Sequence, residues 1–406
     1  MRALHTSDWH IGVKKHRVDR MQDHERVFAQ IKEIAIDERV DLIINTGDLF
    51  DELNPSAETL LYGWSVLSDM AKIAPIVVLC GNHDSSKYFQ VFDEISNGRL
   101  PIHFIYPAIL KKGPVSIVQI PTRDGEIIKI GAVPFIKSQS YIRKYIDNDA
   151  ERATAKYADE VGLLEHRVGT WLNDGYDVNR DIRIFAAHLL LDGAQISGSE
   201  YQVHVDSDFA IKSERIPLCD YAAFGHIHKP QQIAGIDHGR YAGSPIPIDF
   251  GEVTDQKLCY VLSGKPGYAL DIEERLLDVG RKMVDIRGTL EEISRNRAQY
   301  ANTIARVFVT LHAPMSDLES QVNDILGETI VCQVKGQYEH PEDIAAKATV
   351  LGPEPTLNEM FSTFLASDTN IADSARVQRY FDDLLHRVES NDVEDQSFPD
   401  IDEVIA

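Results

Sequence analysis

Five short segments of the chain concentrate side chains that bind divalent cations: Asp8-Trp9-His10, Gly47-Asp48, Gly81-Asn82-His83-Asp84, His188, and Gly225-His226-Ile227-His228. Each follows an apolar run that reads as a strand and opens a loop, the place where α/β folds gather ligands. Carboxylate, imidazole and amide oxygen together suit first-row ions such as manganese or iron, whereas the lack of thiolates disfavours a structural zinc. The donors are numerous enough for two ions rather than one. An aspartate can bridge such a pair through its two oxygens, offsetting the repulsion between ions held roughly 3.5 to 4 Å apart. Taken singly, each piece has an ordinary structural reading: Asp8 or Asp48 as a cap or Asx turn, His188 as a hydrogen-bonded core histidine, and Asn82, Gly47 and Gly81 as turn residues. Five such segments at five strand ends are not accounted for in that way.

The elements that must position these residues are legible as apolar periodicity. Strands are expected at Arg2 to His5, Leu42 to Asn45, Ile76 to Leu79, Ser116 to Gln119, Ile128 to Val133, Ile182 to Ala186, Tyr221 to Phe224, Gly239 to Ala242 and Leu258 to Leu262. Helical spacing appears at His24 to Arg39 and Ser56 to Ile73. Alternating helices and strands imply an α/β domain with sheets covered on their faces. Gly264-Lys265-Pro266-Gly267 reads as its closing turn. A small α/β module follows, with strands at Lys282 to Ile286, Arg306 to Leu311 and Ile330 to Val334 and helices at Leu290 to Arg297 and Met315 to Leu326. After the break at Gly352-Pro353-Glu354-Pro355 come two amphipathic stretches, one starting at Thr356 and the other spanning Ala372 to Val388. From Glu389 the chain is acidic and reads as a disordered tail.

The ordered set D-x-H, G-D-x-x-[DH], G-N-H-[DE], H and G-H-x-H resembles the calcineurin-like metallophosphoesterases. Here it stands as Asp8-Trp9-His10, Gly47-Asp48-Leu49-Phe50-Asp51, Gly81-Asn82-His83-Asp84, His188 and Gly225-His226-Ile227-His228. Thr6 to Gly12, Gly47 to Asp51 and Gly225 to Pro230 look like the DNA double-strand-break-repair branch. Tyr241-Ala242-Gly243-Ser244-Pro245-Ile246-Pro247 is similar to a segment typical of SbcD-type nuclease subunits of bacterial SbcCD complexes.

The resemblance implies a fold and roles. The fold is an α/β sandwich of two β-sheets flanked by helices, with a small cap and C-terminal partner-binding helices. The nuclease domain would span 1–265, a DNA-positioning cap 266–340, a linker 341–355, docking helices 356–389 and a tail 390–406. Asp8, His10, Asp48 and His228 would hold one manganese ion, and Asp48, Asn82, His188 and His226 the other, with iron or magnesium as alternatives. Water activated between the ions would attack phosphorus in line with the leaving oxygen, with His83 as transition-state stabiliser or proton donor. Asp51 and Asp84 are supporting candidates; Asp51 stands where some relatives carry a histidine. Lys14, Lys15 and Arg17 are candidate DNA contacts, although alone such a run is usually a solvated loop.

The resemblance also implies partners: DNA ends and hairpins, a second copy of the chain, and an SbcC-like ATPase docked on Phe361, Phe364, Tyr380, Phe381 and Leu384, giving a heterotetramer. No G-x-x-x-x-G-K-[ST] segment is present, so nucleotide hydrolysis would come from another polypeptide. The activities implied are 3′-5′ double-strand exonuclease and single-strand or hairpin endonuclease. Two other readings use the same residues: a stand-alone phosphodiesterase or phosphomonoesterase on small nucleotides, and a non-catalytic protein that tethers DNA ends.

Composition sets a constraint on any DNA-binding reading. The chain has 406 residues, 43% of them hydrophobic, and 41 basic residues against 64 acidic ones give a net charge of −23. Like charge opposes approach to phosphate. Residues 341–406, however, carry 15 acidic and 4 basic side chains, so nearly half the excess lies beyond the expected nuclease and cap domains. The acidity that remains predicts weak, salt-sensitive DNA binding by the isolated chain and reliance on a partner. Four dispersed cysteines and no apolar run of membrane-spanning length suggest a soluble, reduced, cytoplasmic protein, and the resemblance implies association with the nucleoid.

Overall fold

A computed structural model describes residues 1–16, 18–136, 150–197, 210–313, 315–338, 361–362 and 376–382. Two six-stranded sheets dominate it. In the first, Arg2–Thr6, Leu42–Asn45, Ile76–Leu79 and Ile102–Ile105 run parallel, and Leu258–Ser263 and Asp271–Leu276 extend the Arg2 edge antiparallel. In the second, Ile127–Val133, Asp181–His188, Tyr221–Gly225 and Gly239–Tyr241 are parallel, with Val118–Pro121 and Gln231–Gln232 antiparallel at the edges. Register is regular, for example Leu4 opposite Ile43 and Phe185 opposite Ala222.

The sheets are apolar on both faces because both are covered. Ala3, Leu42, Ile44, Val77 and Leu79 of the first meet Ile128, Ile130, Ile182, Ile184 and Ala223 of the second. Outside the first sheet lie the helices Met21–Asp37, Ala57–Ala71 and Ser86–Ser96, burying Val27, Phe28, Ile31, Leu67, Met70, Phe89 and Phe92. Ala57–Ala71 starts where Ser56 Oγ accepts from the Thr59 N–H, an N-cap. Outside the second sheet, the helix Ala150–Asn173 buries Val161, Val168 and Leu172.

The main strands fall at or near their expected places. Ile102–Ile105 and the helices Ser86–Ser96 and Ala150–Asn173 lie outside the expected set. Gly264 to Gly267 joins the paired strands Leu258–Ser263 and Asp271–Leu276, so the chain returns to the first sheet after this turn.

A three-stranded sheet of Met283–Gly288, Ile304–Leu311 and Ile330–Tyr338 follows, with helices Leu290–Asn296 and Leu318–Ile325. Thr289 and Glu292 form a capping box at the first helix. Met283 and Ile304 pack with Val18 and Phe250, and Arg281 donates to Asp23, which also pairs with Arg20. The chain divides into two compact units, Met1–Thr310 with Met315–Gln337, and Leu311–Pro314 with Tyr338–Ala406. In the second unit, the Phe361 and Phe381 rings stack at 3.9 Å and Tyr380 is 42% exposed. Phe364 and Leu384 lie outside the described residues. No helix among the described residues is long and apolar enough to cross a membrane.

Candidate metal centre

The candidate ligands all stand at C-terminal strand ends: Asp8 and His10 after Arg2–Thr6, Asp48 after Leu42–Asn45, Asn82 after Ile76–Leu79, His188 ending its strand, and His226 and His228 after Tyr221–Gly225. The first two loops continue the pairing of their strands, with Asp8 N–H donating to Gly47 O at 2.9 Å and His10 N–H to Asp48 O at 3.0 Å. Asp8, His10, Asp48 and His226 adopt positive φ of 49°, 45°, 50° and 100°. Such backbone costs on the order of 1 kcal/mol or more per residue without glycine, and it clusters where side chains must be aimed.

The approach of the loops is close enough to require glycine. A Cβ on Gly47, at φ 116°, would stand 2.1 Å from His188 Nδ1, and one on Gly81 would stand 2.2 Å from Asp48 Oδ1. Asp84 fastens two loops together by accepting from the N–H groups of Gly81 at 2.9 Å, Phe50 at 3.0 Å and Leu49 at 3.1 Å. Burial, reinforced by the charge of Asp48, pushes its carboxyl up to about 7.

The side chains converge. His10 Nε2 and His228 Nε2 are 3.1 Å apart, and Asp48 Oδ2 lies 3.7 Å from His10 Nε2 and 3.4 Å from His188 Nε2. Asn82 Oδ1 is 2.8 Å from both His188 Nε2 and His226 Nδ1, and the His226 N–H donates to Asp8 Oδ1 at 3.0 Å. Three overlapping trios place potential ligand atoms within 4.8 Å of one another: Asp8, His10 and His228; His10, Asp48 and His83; and Asp8, Asp48 and His188. Asp8, His10, Asp48, His188, His226 and His228 are almost wholly buried.

The electrostatics favour a cation. Burial pushes the Asp8 carboxyl up, with His188 and His228 pulling it back. At Asp48 burial also resists ionisation, but His188, His83 and His10 outweigh it and hold the group well below the usual carboxylate range. At His188 burial opposes charge, yet the pull of Asp48 raises the imidazole to about 9. The field that keeps a proton there is the field a divalent ion would meet, and ion and proton compete for the same lone pair. This set of oxygens and imidazole nitrogens, aimed inward from rigid strand ends, fits first-row divalent ions.

His83 stands beside this set. Its N–H donates to Asp48 Oδ1 at 2.9 Å, its Nδ1 donates to Asp51 O at 2.6 Å, and its ring packs edge-on to His10 at 4.6 Å. With Nδ1 so occupied, Nε2 is the nitrogen able to exchange a proton. The Asp51 carboxylate lies 3.1 Å from His10 Nδ1.

The basic run is partly engaged. Lys14–Lys15 pairs with Val18–Asp19 in a hairpin, Lys14 Nζ is 3.8 Å from Asp19, and Lys15 Nζ is 3.3 Å from Asp249. Such exposed pairs are weak and can be exchanged for phosphate. Arg17 lies outside the described residues.

Sequence reasoning missed Phe135, Glu252 and Lys257, and gave Ser244, within the Tyr241 to Pro247 segment, no role of its own. The Phe135 ring stacks on His226 at 6.0 Å and meets His188 edge-on at 6.1 Å. Glu252 Oε1 accepts from His228 Nδ1 at 3.0 Å. Phe135 directly follows the expected Ile128 to Val133 strand and its Pro134, which could have marked it; no local pattern distinguishes Glu252 among 64 acidic residues.

This fold and centre define a class. The chain belongs to the calcineurin-like phosphoesterases, whose family model matches residues 1–230, and within that family it groups with the SbcD proteins of SbcCD nucleases. It is 31% identical over 295 residues to the SbcD component of the SbcCD nuclease of Bacillus subtilis (strain 168), covering 70% of this chain and 71% of that protein. With the SbcD component of the Escherichia coli (strain K12) nuclease it shares 26% identity over 400 residues, 95% of this chain and 98% of the relative.

Proposed function

We propose that the chain is the nuclease component of an SbcCD-type complex, hydrolysing DNA phosphodiester bonds at ends and hairpins with two manganese ions. The observation that carries this reading is the convergence of Asp8, His10, Asp48, Asn82, His188, His226 and His228 at the strand ends of a chain similar, along 95% of its length, to a component of a nuclease. Asp8, His10, Asp48 and His228 would hold one ion and Asp48, Asn82, His188 and His226 the other. Bound there, the ions supply Lewis acidity toward phosphate oxygens and make the attacking water easier to ionise.

The chain's own groups do the rest. Asp48 reaches both histidine sets, the role a bridging carboxylate requires. His83, anchored through Nδ1, would carry a proton on Nε2 for the leaving oxygen. Lys14 and Lys15 would exchange Asp19 and Asp249 for backbone phosphates. Within this reading the activities are 3′-5′ double-strand exonuclease and single-strand or hairpin endonuclease.

The domain reading goes with it: 1–265 for chemistry, joined by the Asp271–Leu276 strand that completes the first sheet, the rest of 266–340 as a DNA-positioning cap, 341–355 as linker, 356–389 for an SbcC-like ATPase and 390–406 as tail. The stacking of Phe361 on Phe381 supports a paired-helix docking element. A heterotetramer of two nuclease and two ATPase chains, working on DNA in the cytoplasm, is the expected assembly.

The test is reconstitution with an SbcC-type ATPase on blocked-end and hairpin DNA, varying manganese and ATP independently. Cleavage requiring manganese and stimulated by ATP and partner is expected. Cleavage indifferent to both partner and ATP refutes the complex, and an inert protein in manganese favours the tethering reading.

A further inference from the structure

His10 and His228 turn their Nε2 atoms toward each other at 3.1 Å, and a carboxylate stands behind each ring. Asp51 Oδ1 lies 3.1 Å from His10 Nδ1 and Glu252 Oε1 lies 3.0 Å from His228 Nδ1. A carboxylate only accepts, so in the neutral rings Nδ1 carries the proton and Nε2 keeps its lone pair toward the centre. The other two histidines are backed differently. His188 Nδ1 donates to the Thr46 carbonyl at 2.8 Å, and its Nε2 turns inward to Asn82 Oδ1, the same oxygen that His226 Nδ1 faces.

Glu252 is itself fixed. Its Oε2 accepts from Lys257 Nζ at 2.5 Å, Ser244 Oγ at 3.0 Å and the Ile248 N–H at 3.2 Å. Lys257 also donates to His228 O at 3.0 Å and Ser244 Oγ at 2.9 Å, so the same group grips the ligand's backbone and its supporting carboxylate. Glu252, Lys257, Ser244 and His228 are all buried. A buried ion pair stabilises a fold little, if at all, relative to apolar residues of the same volume. Fold stability therefore does not account for this network, whereas the orientation of His228 does.

We infer that Glu252, fixed by Lys257 and Ser244, is a positioning residue for His228, and that together with Asp51 behind His10 it makes the ion position shared by these imidazoles the tighter of the two. The inference rests on the dinuclear reading proposed above. A carboxylate behind a ligating imidazole fixes its tautomer and raises its basicity, and loss of such a partner typically costs about 10- to 100-fold in metal affinity. Behind His188, in the other position, stands a backbone carbonyl, which carries no charge.

The test is calorimetric titration of manganese into the metal-stripped full-length protein, with bound ions counted by electron paramagnetic resonance. Two unequal steps are expected in the wild type. Glu252→Gln keeps the shape and an acceptor for His228 but removes the charge, so the tighter step should weaken about tenfold and the weaker step change less than about threefold. Both steps unchanged with a lowered thermal midpoint would mean a purely structural role and overturn the inference; equal weakening of both steps would overturn the ranking. Should Glu252→Gln not fold, Ser244→Ala removes one donor, keeps the Lys257 pair and is expected to shift the tighter step alone; a shift in neither step overturns the inference. Fewer than two ions bound by the wild type overturns the dinuclear reading itself, an outcome visible before any variant is made.

Discussion

The main-chain N–H of His83 donates to Asp48 Oδ1 at 2.9 Å, tying the residue assigned to proton transfer to the carboxylate assigned as the bridge. This tie does not depend on the imidazole, so replacing the side chain leaves Asp48 held. His83→Ala should therefore lower single-turnover DNA cleavage by about 10²- to 10⁴-fold, the usual worth of a positioned acid or base, while still binding two ions. Loss of an ion in the variant would instead make His83 a ligand, as its grouping with His10 and Asp48 permits.

Asp48 is the residue through which both ion positions should fail together. Its carboxylate lies within 3.7 Å of a ring nitrogen from each set, His10 on one side and His188 on the other. Ligand binding to the native state adds about 2.7 kcal/mol at a hundredfold excess over Kd, so manganese should raise the thermal midpoint of the wild type by several degrees. In Asp48→Asn that rise should vanish. A variant still stabilised as much as the wild type would rule out the bridging role.

The strands that present these residues were legible because Leu42-Ile43-Ile44 and Ile76-Val77-Val78-Leu79 are continuous apolar runs, the mark of parallel strands covered on both faces. The ligand set was legible because its residue types are uncommon in combination and sit at strand ends. The Ser86–Ser96 helix was not: its apolar residues recur at helical spacing, but the stripe is short and Val91 and Ile95 within it are exposed beside the buried Phe89 and Phe92. Ala150–Asn173 was hidden in the same way, with Leu163 exposed and Glu165 buried. Glu252 escaped notice for another reason: its meaning lies in contacts with Ser244, Lys257 and His228, which only the folded chain brings together.

Gly47 tests the closeness of the loops. At φ 116° it occupies backbone that other residues rarely adopt, and a Cβ would stand 2.1 Å from His188 Nδ1, inside the bond from that ring to Thr46 O. Gly47→Ala should destabilise the fold by about 3 kcal/mol or more and weaken metal binding as His188 is displaced. Urea unfolding of the metal-free protein, followed by manganese titration, checks both. A midpoint within error of the wild type would contradict the packing described.

Glu165 gives a pH dependence separate from the metal centre. It is fully buried in the helix Ala150–Asn173, and among the described residues neither carboxyl oxygen has a hydrogen-bond partner. Burial pushes the carboxyl from 4.5 up to about 7, with Arg215 pulling it part of the way back. Between those values the native state holds a proton that the unfolded chain has released, so this group's contribution falls as pH rises from about 4.5 through 7 and is level above that. The span corresponds to about 3 kcal/mol. Glu165→Gln, which cannot ionise, should match the wild type near pH 4.5 and be the more stable protein at pH 8. Denaturant unfolding across this range, with metal removed, checks it; parallel stability curves for the two proteins would show that Glu165 does not titrate in the folded state as its burial requires.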